Sequence, residues 1–207
     1  LSIITSGIVV FVLAFLMLVE GPTWLNRIWS AFRNQKRMES IRSLVNKMYN
    51  VVTSYVVGQL TVSTIAAIFS GSFVLFLSFV FNIPMNLAIP TSAIVFVFSL
   101  IPMFGSSIGA VIITSVLALN DIKAALIFLG VFIIYQQIEG NLISPKIQSK
   151  KIDLSALVIL IAITIGIYVF GIAGGIISIP IAGCIKVLVD HYFEHVKPIR
   201  DEKVLKQ

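Results

Sequence analysis

Long apolar runs constrain the fold of this chain more than any other feature. One run fills residues 1–19, and residues 51–189 are apolar over most of their length. A helix that crosses the hydrocarbon core of a bilayer needs about 20 apolar residues, and several segments supply them. Only helices and closed barrels satisfy their own backbone groups in hydrocarbon. The sequence therefore predicts an all-α, polytopic transmembrane helical protein.

The distribution of charge favours a membrane protein over a nucleic-acid-binding protein. Charged residues make up 12% of the chain, about half of the roughly 25% found in soluble domains. The net charge is +6, but the basic residues lie in three groups beside apolar spans, as the positive-inside rule describes. We expect the lipid bilayer as a partner, no nucleic acid, and a cytoplasmic C-terminus.

Breaks in the apolar pattern divide the chain into four regions. Glu20-Gly21-Pro22 ends the first span, and Pro22 suits the first turn of a new helix. The helix that follows has an apolar face, whose partner is either the lipid headgroups or another protein surface, and Asn34-Gln35 bends it. The regions are a transmembrane span at 1–19, an amphipathic cytoplasmic or interfacial helical segment at 20–50, a transmembrane region at 51–189, and a polar cytoplasmic tail at 190–207.

A proline and a glycine, Pro102 and Gly105, break the transmembrane region at 101–107. The apolar runs on either side, 87–100 and 108–119, are each shorter than the ~17 residues that a spanning helix needs. This pattern predicts a re-entrant or broken helical hairpin. Backbone carbonyls left unpaired at such a break can coordinate ions or a polar substrate. A purely structural turn is the alternative.

A polar run at 136–147 separates two apolar segments and carries one carboxylate, that of Glu139. We expect this run to be a cytoplasmic loop between two spans. Glu139 is a candidate for exchanging a proton or binding a small cation, whereas the alternative is a loop cap or an ion pair with Lys146. The amides beside it are Gln136, Gln137 and Asn141.

Small and polar residues occur at two further places. Gly58 and Gln59 begin a span, where they either line a substrate path or let helices approach closely. Gly171-Ile172-Ala173-Gly174-Gly175 predicts a tight turn between the last two spans. No strand precedes these glycines and no lysine accompanies them, so a phosphate loop is not indicated.

Residues for catalysis or metal binding are scarce. Cys184 is the only cysteine of the chain, and both histidines lie near its C-terminus. The sequence therefore has too few cysteines and histidines to indicate a nucleophile–base pair or a cysteine metal cluster. We expect no enzyme activity, no metal and no cofactor.

Short motifs recur in a familiar order between about Thr53 and Val189. They are Tyr55-Val56-Val57-Gly58-Gln59-Leu60, Ile101-Pro102-Met103-Phe104-Gly105, Glu139-Gly140-Asn141, Pro145-Lys146-Ile147, Gly171-Ile172-Ala173-Gly174-Gly175 and Ile179-Pro180-Ile181-Ala182. Together they resemble the AI-2E family of transporters, named for autoinducer-2 export. The chain would then be the C-terminal portion of a longer protein. An arginine is common in the family at Val57, and a proline at Ser106 and Ser155.

The resemblance implies a multi-pass protein of the bacterial inner membrane, assembled as a homo-oligomer. It implies either export of a small polar solute, such as the quorum-sensing signal autoinducer-2, or exchange of Na⁺ or Li⁺ for H⁺. An oligomeric scaffold and a passive channel are the alternatives. The candidate path residues are Gly58, Gln59, Pro102, Gly105, Gln136, Gln137, Glu139 and Asn141, and the candidate structural loop residues are Gly140, Pro145, Lys146, Gly171, Gly174, Gly175 and Pro180.

Overall fold

The described part of the chain is all-α, as the sequence predicts. A computed structural model describes residues 2–81, 83–102, 104–148 and 154–193, and gives only the backbone of residues 2–4 and 148. Two compact units divide between Asn46 and Lys47. The helices are α1 (Ser2–Ser30), α2 (Gln35–Val80), α3 (Ala88–Ser99), α4 (Gly105–Ala118), α5 (Ile122–Ile138), α6 (Ser144–Gln148) and α7 (Ala156–His191), with a 3₁₀ turn at Met85–Leu87 and a π-helical turn at Glu139–Ile143.

Four helical stretches are long and apolar enough to cross a membrane. This assignment rests on length and composition, and it covers the residues that the structure describes. Two shorter apolar helices lie between the second and third stretches. The stretches are Thr5–Ser30, Gln35–Val80, Ile122–Ile147 and Ala156–His191.

The helix boundary expected at Glu20-Gly21-Pro22 is wrong. α1 continues through Pro22 to Ser30, and the chain leaves the helix only before Gln35. Pro22 removes only one intrahelical hydrogen bond, and this loss does not end α1. A new helix begins where a side-chain group satisfies its first N–H donors. Asn34 supplies that group, since its Oδ1 accepts from Arg37 N at 3.2 Å. The amphipathic segment at 20–50 is therefore shared between the end of α1 and the start of α2.

Aromatic side chains hold α2 and α5 together in the second unit. The rings of Phe69 and Tyr135 stack with centroids 4.2 Å apart, and Phe128 and Phe132 follow on α5 with centroids 5.5 Å apart. Both phenylalanines on α5 are fully buried. Between membrane helices such rings stabilise the fold through close packing rather than through removal from water, and this column is the centre of the core.

The broken hairpin predicted at 101–107 is present. α3 and α4 are short apolar helices that pack against each other on either side of the break. Gly105 lies against the backbone of Phe98, so that an added Cβ would collide with it. Glycine is needed here because the two backbones approach this closely.

The polar run at 136–147 is helical, so the expected loop is not present. Ser144 N donates to Glu139 O across the π-helical turn, and Gly140 lies within that turn. Pro145 is the second residue of α6, and Lys146 follows it. A proline ring clashes with the carbonyl four residues earlier in a regular α-helix. The wider π turn relieves such a clash, which explains why the helical path continues.

The tight turn predicted at Gly171 divides α7 into two helical arms. Phe170 and Gly171 leave helical geometry, and Gly171 has φ +63. The backbones of Gly166 and Gly174 contact each other, so the arms fold back on one another, as small residues allow in membrane helices. Gly175 and Pro180 are buried on the second arm. Of the polar tail expected at 190–207, residues 194–207 lie outside the described part.

Candidate functional site

A cavity of about 400 Å³ opens where the break between α3 and α4 faces α2, α5 and α7. This volume lies within the about 300–1,000 Å³ typical of small-molecule sites. Each of the helices α2 to α7 contributes at least one residue to its wall. The lining residues are Tyr55, Gln59, Val62, Ser99, Ile101, Pro102, Ser106, Ser107, Gln136, Glu139, Gly140, Ser144, Ile159 and Ile179.

The cavity brings together candidate residues that are far apart in the sequence. Gln59 comes from α2, Pro102 from the break, and Gln136 and Glu139 from the end of α5. The predicted candidates thus converge on one space, although their role stays a prediction.

Other candidates lie outside the wall. Gln137 and Asn141 are exposed, and Asn141 Nδ2 donates to Gln137 O at 2.9 Å within its own helix. Gly58 is buried and Gly105 packs against α3. Lys146 is exposed on α6 and does not line the cavity.

Four backbone carbonyls at the break accept hydrogen bonds, so at these positions the expected unpaired carbonyls are not found. A short turn folds the chain tightly enough between α3 and α4 for local N–H groups to reach them. The carbonyls that accept are those of Phe98 (from Ile101 N, 2.8 Å), Ser99 (from Gln59 Nε2, 2.6 Å), Ile101 (from Gly105 N, 2.9 Å) and Pro102 (from Phe104 N, 2.9 Å). These four carbonyls therefore have partners within the protein, and the polar side chains of the wall are the further candidates for binding.

Two glutamines tie the ends of the break to neighbouring helices. The buried bond from Gln59 Nε2 holds the carbonyl of Ser99, the last residue of α3, to α2. Gln136 Nε2 lies 3.0 Å from Ser107 Oγ and 3.4 Å from Ser106 Oγ, which joins α5 to the first turn of α4.

Among the described residues, Glu139 supplies the carboxylate on the cavity wall. Its Oε2 is buried with no hydrogen-bond partner among the described residues. The hydroxyl of Tyr135, one helical turn earlier, lies near the carboxylate, but it makes no hydrogen bond of good geometry with Glu139. A buried carboxylate oxygen without a donor is costly, so this atom is suited to a proton, a cation or a ligand donor.

Tyr55 and Ser99 are functional candidates that sequence reasoning missed. Both side chains are at least 95% buried and line the cavity, at 5% and 4% exposure, and neither hydroxyl has a hydrogen-bond partner among the described residues. Tyr55 lies one helical turn before Gln59, and that spacing was available in the sequence. Nothing in the sequence, however, places Ser99 beside α2.

The charge of the wall restricts what it can hold. In the part of the chain that the structure describes, Glu139 is the only carboxylate on the wall, and no lysine, arginine or histidine lines it. The remaining polar side chains are hydroxyls and amides, which both donate and accept hydrogen bonds, and the single negative group favours cations over anions. The cavity therefore suits a proton, a monovalent cation or a neutral polar solute.

Comparison with known proteins places the chain in a family. The model of the AI-2E family transporter matches residues 1–194. The chain belongs to the AI-2E family of transporters. No solved structure matches it.

Relatives in this family carry names that point to transport. YrrI of Bacillus subtilis is 33% identical over 139 residues, which cover 67% of this chain and 37% of the relative, and its name gives transport without a substrate. The Synechocystis protein sll0063 is 33% identical over 83% of this chain and 40% of its own length. TqsA of Escherichia coli, named as an AI-2 transport protein, is 27% identical over 46% of this chain and 28% of its own length. This AI-2E family chain thus spans less than half the length of these relatives.

Proposed function

We propose that this AI-2E family chain contributes the substrate site of a membrane transporter, and that the cavity at the break between α3 and α4 is that site. The transported species is a small polar solute of the autoinducer-2 type, exported from the cell, or Na⁺ or Li⁺ exchanged for H⁺. Family membership supports transport. The size and the hydroxyl, amide and single-carboxylate wall of the cavity support these classes of substrate.

One observation carries the proposal. Glu139 Oε2 is buried on the cavity wall with no hydrogen-bond partner among the described residues. Intramembrane carboxylates are expensive and commonly mark ion or proton pathways. A broken helical hairpin beside such a group is the arrangement on which many secondary transporters build their binding sites.

The proposal also concerns the cellular setting. The basic groups beside the spans support a cytoplasmic C-terminus, and the family resemblance supports a bacterial inner membrane and a homo-oligomer. The exposed apolar residues of α1 and α7 supply surface for lipid or for a second copy.

The function can be tested with the full-length protein in proteoliposomes. Uptake of autoinducer-2, Na⁺ and Li⁺ is measured with and without an imposed proton gradient. A flux that follows the gradient supports a coupled transporter, whereas a conductance without gradient dependence supports the passive channel. No flux in any condition supports the scaffold.

A matched pair of variants tests the carboxylate. Glu139→Gln keeps the size of the side chain and removes its charge, and Glu39→Gln makes the same change at an exposed position of α2. We expect Glu139→Gln to impair transport while Glu39→Gln does not. Equal transport in both variants, with both proteins folded, would remove Glu139 from the mechanism.

A further inference from the structure

Ser63 is a buried polar residue that the cavity wall does not include. It is 0% exposed, and its Oγ has no hydrogen-bond partner among the described residues. Other hydroxyls on α2 behave differently, because Thr61, Thr64 and Ser70 each donate to the carbonyl four residues earlier in the helix. Serine and threonine inside helices commonly make that bond. A buried hydroxyl that does not make it needs another partner.

The position of Ser63 relates it directly to the cavity. Residues four apart lie one above the other on a helix, so Ser63 follows Gln59 on the same face, about 6 Å further along α2. Gln59 and Val62 both line the cavity. Ser63 therefore lies at the inner edge of the cavity, on the side away from Tyr55.

Contacts between α2 and α3 show which residues Ser63 faces. Gln59 bonds to Ser99, and Gly71 lies against Ala88 and Ser92. The two helices therefore run antiparallel, and Ser63 lies at the level of α3 just before Ser99. Ser99, at the level of Gln59, also has a buried hydroxyl without a hydrogen-bond partner among the described residues.

We propose that the cavity continues past Gln59 as a hydrated seam between α2 and α3, in which the hydroxyls of Ser63 and Ser99 bind water or the hydroxyl groups of a polar solute. Buried water typically makes about three hydrogen bonds to polar groups that protein atoms leave unsatisfied. Two such hydroxyls and the amide of Gln59 supply that chemistry. The seam extends the proposed substrate site. Its role in transport rests on the proposed function, whereas its hydration does not depend on that function.

Cysteine labelling tests the seam without any measurement of flux. A thiol reacts with a methanethiosulfonate reagent as its thiolate, which forms in water and not in a dry apolar core. The experiment uses the full-length protein in proteoliposomes, with Cys184 and any cysteine outside these residues replaced by alanine. Ser63→Cys is compared with Ser99→Cys on the cavity wall and with Val74→Cys, at a core position of α2 that is also 0% exposed. The probe is the membrane-impermeant trimethylammonium reagent.

We expect Ser63→Cys and Ser99→Cys to react at least about tenfold faster than Val74→Cys, because only hydrated thiols ionise readily. If Ser99→Cys reacts and Ser63→Cys is as slow as Val74→Cys, the seam does not exist and the proposed site remains. If both serine positions are as slow as the core position, the seam is overturned and the cavity is not open to water. Cysteine and serine are similar in size, and binding of a conformation-independent affinity tag confirms that equal amounts of each variant are compared.

Discussion

Gly105 offers the sharpest test of how the break shapes the cavity. An ideal Cβ at this position would lie 2.6 Å from the carbonyl carbon of Phe98 and 3.0 Å from Cα of Ser99. Carbon atoms pack at about 3.5–4.0 Å, so Gly105→Ala must separate α3 from α4 by roughly 1 Å. These are backbone atoms, and no side-chain rotation can relieve the contact.

The expected cost of Gly105→Ala follows from this overlap. Overpacking of a well-packed interior costs about 1–3 kcal/mol. The same displacement would shift the first turn of α4, which carries Ser107, and would disturb its 3.0 Å contact with Gln136 Nε2. We therefore expect both a less stable protein and slower transport.

Gly109 supplies the matched control on the same helix and the same interface. A Cβ there would lie 3.5 Å from Cα of Val95, which is ordinary contact. Alanine in place of a helical glycine stabilises by about 0.5–1 kcal/mol where it fits, so Gly109→Ala should be neutral or stabilising.

Thermal unfolding in detergent and flux in proteoliposomes compare the two variants. Each kcal/mol corresponds to about 2–4 °C in the midpoint for a chain of this size, so Gly105→Ala should unfold several degrees below Gly109→Ala. Equal midpoints and equal fluxes would refute the close approach of α3 and α4 at the break.

Two further pairs of variants test other contacts. Gln136→Ala should reduce flux about two- to tenfold, since a neutral hydrogen bond contributes about 0.5–1.5 kcal/mol. The control variant Gln137→Ala changes an exposed side chain and should transport normally. Equal fluxes in the two variants would contradict the role of Gln136. Gly174→Ala should destabilise the protein by about 1–3 kcal/mol, because its Cβ would meet the backbone of Gly166. Gly130→Ala should not destabilise it, because nothing lies within 4 Å of a Cβ at that position. Thermal unfolding measures both glycine variants, and equal midpoints would argue against the folded-back arms of α7.

The local features of this fold are readable from the sequence. Pro102 and Gly105 between short apolar runs predict the broken hairpin, and Gly171 predicts the turn in α7. Both predictions are confirmed, because a proline or a positive φ acts on the few residues around it.

Predictions failed where a residue elsewhere in the chain decides the local structure. Pro22 lies inside α1, because the next helix begins only where Asn34 caps it. Pro145 lies inside a helical path, because the π turn before it makes room for the proline ring. Pairing of the Ser99 carbonyl was missed because it needs Gln59, 40 residues away along the chain. Ser63 and Ser99 were missed for the same reason, since their positions relative to each other depend on the register of α2 against α3.

The flux ratio of Glu139→Gln to Glu39→Gln in proteoliposomes tests the central claim most directly. A hydrogen bond to a charged group contributes about 1.5–3 kcal/mol, and each 1.4 kcal/mol is about tenfold. The cavity at the break therefore predicts that Glu139→Gln transports at least about tenfold more slowly than Glu39→Gln. Equal rates for the two folded variants would contradict a transport site at Glu139.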